Sequence, residues 1–98
     1  MTLEIKKKTN ETTIKVVGRL DSFTAPVLGK MIVKNALSSE VIVLELSGVD
    51  AVSEAGLQVL LDTHKKVQPV CSLRLVGVVN NVMETFKLNG CDSVLAIS

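Results

Sequence analysis

Three short β-branched runs in this chain each close on a glycine, at Gly18, Gly48 and Gly77, and these glycines stand 30 and 29 residues apart. Each is followed by a turn and then by apolar residues at helical spacing. That period matches one βα unit of about 30 residues, and crossovers between parallel strands are almost always right-handed. The chain is therefore expected to be α/β, with a mostly parallel sheet built from consecutive right-handed βα units and a closing strand. Ahead of the first unit, Leu3-Glu4-Ile5-Lys6 alternates as an edge strand should. It is expected to pair antiparallel with Thr12–Val17 through a turn at Thr9-Asn10-Glu11. Lys6, Lys7 and Lys8 discourage edge-to-edge pairing there. Ninety-eight residues allow one domain, spanning 1–98, with a single modest core.

The first helix is expected to be capped by Ser22 or Thr24, to hold Pro26 in its opening turn, and to bury Val27, Leu28, Met31, Ile32 and Ala36. Val41-Ile42-Val43-Leu44-Glu45-Leu46 is a nearly unbroken apolar run, the pattern of a strand covered on both faces. Beyond it, Leu57, Leu60, Leu61, His64 and Val67 recur at helical spacing, with Gln58, Asp62, Lys65 and Lys66 outside. Ser53 stands where an N-cap hydroxyl accepts from a first-turn N–H. Glu54 then falls in the first turn, where the helix dipole favours a carboxylate. Gly56, one turn in, costs helix propensity and points to a close approach. After Gln68-Pro69 comes a strand over Val70–Val76. A short helix follows, capped by Asn80 or Asn81, carrying Val82, Met83 and Phe86, and stopped at Asn89-Gly90. Val94–Ile97 is the last strand.

Composition narrows the function. Hydrophobic residues make up 47% of the chain, which marks a folded protein, and with Phe23 and Phe86 the only aromatics the core must be aliphatic. A formal net charge of +1 gives no electrostatic case for nucleic acid or a membrane surface. No apolar run approaches the roughly 20 residues that span a bilayer, and the charged start MTLEIKKKTNE is unlike a signal peptide. Cys71 and Cys91 lack metal-ligand spacing and read as buried thiols of a reducing cytoplasm, with a disulfide as the alternative. No phosphate-cradling, dinucleotide, zinc-hydrolase or nucleophile-elbow motif is present. His64, the only histidine, lies on the inner stripe and is read as structural. The acids Glu45, Asp50, Glu54 and Asp62 form no pair at a shared site. The expectation is a binding protein, not an enzyme, with no cofactor and no metal.

The central segment, L-x-L-S-G-V-x-x-V-x-x-x-G-L-x-V-L-L over Leu44–Leu61, resembles the central motif of STAS domains, the family that includes bacterial anti-anti-sigma factors. Gly18-Arg19-Leu20-Asp21 is similar to the family's G-x-[LI]-D motif. The resemblance covers nearly the whole chain and implies the same singly wound sheet. It also implies one further helix after the last strand, for which this chain, ending at Ser98, leaves no room. In the family, the residues before Gly-Leu usually read Asp-Ser-Ser or Asp-Ser-Ala, and the first of those serines accepts a phosphate. Here they read Ser53-Glu54-Ala55, so Glu54 holds the acceptor position and Ser53 the Asp position.

What the resemblance implies is an anti-sigma factor antagonist that docks on a serine-kinase-like anti-sigma factor. The contact residues carried over are Asp21, Ser22, Ser53, Glu54, Ala55, Gly56 and Leu57. Ser53 is left as a helix cap or a phosphoacceptor. Asp21 either starts a turn or, as in relatives, helps to bind the kinase. Glu54 is either a first-turn acid or a permanent negative charge in place of a switchable one. The alternative is a small STAS subunit docked on the ATPase or permease of a bacterial lipid-type ABC transporter.

Overall fold

The computed structural model describes residues 1–98. Five strands and three helices follow in the order β1 (Thr2–Lys7), β2 (Glu11–Val17), α1 (Ala25–Ala36), β3 (Val41–Gly48), α2 (Glu54–Val67), β4 (Ser72–Val76), α3 (Asn80–Leu88) and β5 (Ala96–Ile97), with a 3-10 turn at Cys91–Ser93 before β5. The strands lie side by side in chain order, β1-β2-β3-β4-β5. β1 pairs antiparallel with β2, with Leu3 opposite Val16 and Ile5 opposite Ile14, and the remaining pairs are parallel. This is the expected mixed sheet built from βα units.

Right-handed crossovers that add strands in a single direction put every helix on the same face of the sheet. Burial follows that rule. Ile14 and Val16 of β2, Ile42, Leu44 and Leu46 of β3, and Leu73 and Leu75 of β4 point under the helices and are buried. The alternate residues Lys15, Val17, Ser47, Ser72 and Arg74 are exposed, and Val41, Val43 and Glu45 are half-buried. β3 is therefore covered on one face only, contrary to its unbroken apolar run. Its outward valines owe their partial burial to neighbours within the sheet, Thr13 of β2 and Arg74 of β4, both in register with Val43.

Helix α1 buries Ala25, Leu28, Gly29, Ile32, Asn35 and Ala36. Val27 is 52% exposed, so the expected stripe was rotated by one position. α2 buries Gly56, Leu57, Leu60, Thr63 and Val67, while Leu61 and His64 are half-buried. The His64 Nδ1 is buried without a hydrogen-bond partner, and nothing orients the ring for chemistry. Phe86 is fully buried in the 21-residue core and is its only aromatic. Cys71 and Cys91 are free and buried, and desolvation pushes both thiols up from their ordinary value. No helix is long and apolar enough to cross a membrane.

Candidate functional site

Three βα loops gather at the carboxyl edge of β2, β3 and β4, where ligands and partners of open parallel sheets usually bind. The loop after β2 and the loop after β3 are stitched together by backbone. Leu20 and Val52 form an isolated parallel bridge. Across it Leu20 N donates to Ala51 O at 3.0 Å and Ser53 N donates to Leu20 O at 2.9 Å. The third loop joins through Asn81, whose Nδ2 donates to Asp50 O. Asn80 or Asn81 was expected to cap α3; the N-cap residue is Val79, which has no side chain able to serve, and Asn81 is instead bonded to the neighbouring loop.

The start of α2 is as the sequence indicates. Ser53, with φ −81° and ψ 166°, is the N-cap, and its Oγ accepts from Gly56 N at 3.0 Å. Glu54 follows in the first turn, exposed, with no hydrogen bond or ion pair of its own. The close approach foreseen at Gly56 is made by the loop after β2: a Cβ there would lie 2.5 Å from Leu20 O and 2.8 Å from Leu20 C. Only glycine lets α2 begin directly against Leu20–Asp21, and this contact sets the Asp21 loop beside the Ser53–Glu54 tip.

Thr24 holds the N-cap position of α1, one of the two places expected, but its hydroxyl makes no cap bond to the helix, and Ser22 does not cap it. Asp21 instead caps the turn that leads into the helix. Its Oδ1 accepts from Phe23 N at 2.9 Å and from Thr24 N at 3.0 Å, while Asp21 N donates to Thr24 Oγ1 at 3.0 Å. This is a reciprocal capping box with threonine in the place usually held by Glu or Gln. An earlier cap wins because Ala25 N also reaches back to Asp21 O at 3.0 Å, so the helical turn starts at Asp21. The Thr24 and Phe23 backbone N–H groups, and lastly the Arg19 guanidinium 3.9 Å away, hold the Asp21 carboxyl below its ordinary value of 3.8.

The structure thus brings Asp21, Ser22, Ser53, Glu54 and Ala55 to one surface. Gly56 and Leu57 are buried beneath it, with Leu57 only 3% exposed, and they support the surface without presenting side chains to it. One residue of this end escapes sequence reasoning: Phe23, 85% exposed between Asp21 and Thr24. Sequence reasoning places Phe86 on the last helix and assigns Phe23 no position. The signal was its place inside a capping box, where side chains after the cap point outward. No group of three or more metal-ligating side chains is assembled anywhere in the chain.

A singly wound mixed sheet, with its helices on one face and an acid-tipped helix at its carboxyl edge, defines a class of small α/β domains. The model of the STAS domain family matches residues 2–98, and the chain belongs to that family. It is 26% identical over 97 residues to the anti-sigma-B factor antagonist of Bacillus subtilis (strain 168), covering 98% of this chain and 89% of the relative. The crystal structure of an anti-sigma factor antagonist from Mycobacterium paratuberculosis is similar with a TM-score of 0.83 at 25% identity, covering 98% of this chain and 83% of that one. A sulfate transporter family protein from Wolinella succinogenes shares the fold at 16% identity with a TM-score of 0.75, covering 86% of this chain and 70% of that one.

Proposed function

We propose that this chain is an anti-sigma factor antagonist-like binding module that docks on a serine-kinase-like anti-sigma factor through the Asp21–Phe23 loop and the Ser53–Ala55 tip, and that phosphorylation does not switch it at this tip. The observation that carries the reading is Glu54: an exposed, unpaired carboxylate in the first turn of α2, braced against the Asp21 loop by the Gly56 contact. A carboxylate carries one charge and two oxygens, against about −1.5 to −2 charges and three oxygens for a phosphorylated serine. The partner surface is therefore adapted to a modest, constant negative charge. Ser53 acts as the cap, its hydroxyl engaged with Gly56 N. Similarity at the sequence level to anti-sigma factor antagonists supports this over the transporter-subunit reading, which has a shared fold alone.

The test uses the purified chain as bait in an extract of its own cells, with captured proteins identified by mass spectrometry and the bait then incubated with the captured partner and ATP. A kinase-fold anti-sigma protein is expected, with no phosphate appearing on residues 47–57. Glu54→Ser should fold normally, change the affinity, and acquire phosphate at position 54. Capture of a transport ATPase, or stoichiometric phosphate on the unaltered loop, would overturn the proposal.

A further inference from the structure

Away from the tip, α1 and α2 lie side by side with a groove of about 520 Å³ between them. Its floor is low because position 29 is a glycine: a Cβ there would sit 3.0 Å from Thr63 Oγ1 and 3.5 Å from Val59 Cγ1. Val33 and Val59 supply apolar walls. Thr63 is 7% exposed, lines the groove, and makes no hydrogen bond through its hydroxyl. On the rim stand Lys30 and Lys34 of α1 and Lys66 of α2, with Asp62 the single acid. Asp62 is engaged by Gln58, whose Nε2 donates to its Oδ1 at 2.9 Å. None of the three ammonium groups is paired, since the only ion pair in the chain is Arg19–Asp21.

We infer that this groove is a docking site for an acidic amphipathic helix of a partner protein, distinct from the tip. Three features select that occupant. Lys30 and Lys34 are one helical turn apart, the spacing at which carboxylates recur along one face of a facing helix. Lys66 on the other wall catches an acid across the groove. The apolar walls, Val33 and Val59, take hydrophobic side chains from the same helix, as grooves that receive amphipathic helices do. The volume suits side chains from one helix face, not a helix about 10–12 Å across. The groove does reach the first turn of α1, at Pro26, but a small anion is disfavoured there because Pro26 has no N–H and the Val27 and Leu28 N–H groups already donate to Thr24 O.

The probe is a synthetic helical peptide of about 18 residues, long enough to be helical, with Leu along one face and Glu one turn apart beside it. It is titrated into 15N-labelled protein. Shifts are expected at Gly29, Val33, Val59 and Thr63, weakening as salt rises. The pair K30E/K34E should weaken binding by about tenfold or more. The pair K6E/K87E, the same change in net charge placed elsewhere, should leave it within about threefold. Both pairs alter exposed side chains, and circular dichroism confirms that each still folds. A peptide with Lys in place of Glu should not bind. The inference is overturned by the absence of shifts at about 1 mM peptide, or by equal weakening from both charge-changed pairs. It is equally overturned if inorganic pyrophosphate gives the same shifts and displaces the peptide, or if the free protein self-associates through this face and K30E/K34E abolishes that. The Glu54 experiment shares no residue with this one, so either can fail alone.

Discussion

A methyl group added at position 56 has nowhere to go. Its nearest neighbours are the carbonyl oxygen and carbon of Leu20, at 2.5 and 2.8 Å, and both belong to backbone held in the Leu20–Val52 bridge. Gly56→Ala gains about 0.8–1.0 kcal/mol of helix propensity, yet overpacking of this kind typically costs about 1–3 kcal/mol. The expected outcome is a net loss of stability in urea denaturation, with chemical-shift changes reaching Asp21 and Ser22. Glu54 is the opposite case. The dipole term it supplies is about 0.3–1 kcal/mol, so replacing it barely alters folding and leaves its effect for whatever meets the tip. Two residues of one turn thus divide the work, with Gly56 fixing where the tip stands and Glu54 giving it an exposed charge.

Among the elements, α2 is secured by its buried face. Leu57, Leu60 and Val67 are 3%, 1% and 2% exposed, and each fully buried aliphatic side chain contributes roughly 1.5–3 kcal/mol. Leu60→Ala is expected to cost about 2–5 kcal/mol, a large part of the 5–15 kcal/mol typical of a domain. Val27→Ala, on the exposed side of α1, should stay within about 0.5 kcal/mol. Paired thermal and denaturant melts check the contrast. The order of elements was legible because glycine spacing and helical periodicity agreed, and the Ser53 cap was legible because one residue type suits that position. Four features were not. The apolar run of β3 reads the same whether helices lie on one face or both, since only strand order decides that. The Asp21–Thr24 capping box competes with two nearby hydroxyls of equal promise. Phe23 is apolar, and hydropathy sends apolar residues inward. Asn81 was misread for a similar reason: its attachment to Asp50 depends on a loop 31 residues away in sequence.

At the scale of the whole molecule, the net charge of +1 hides local imbalances. Asp21, Asp50 and Glu54 outnumber Arg19 at the carboxyl edge of the sheet, while Lys30, Lys34 and Lys66 outnumber Asp62 in the groove between the helices. Two carboxylates also tie the fold to pH. Asp21 is held below its ordinary 3.8 first by the Thr24 and Phe23 backbone N–H groups. Glu45 is held below 4.5 first by hydrogen bonds from Ser47, with Lys15 adding attraction. Because their folded values are depressed, both add stability that is fully in place above the ordinary values and is lost as pH falls through the lower, folded ones. Asp21→Asn should therefore flatten the acid side of the stability curve below about pH 4, read as melting temperature against pH.

The junction of Gly56 with the Leu20 carbonyl has a thermodynamic corollary for any encounter at this end. Two loops braced by backbone have little motion left to surrender on association, so the entropic toll of ordering them falls at folding and not at contact. Substitutions at Glu54 should then register in how long a complex survives, with the rate of its formation almost unmoved.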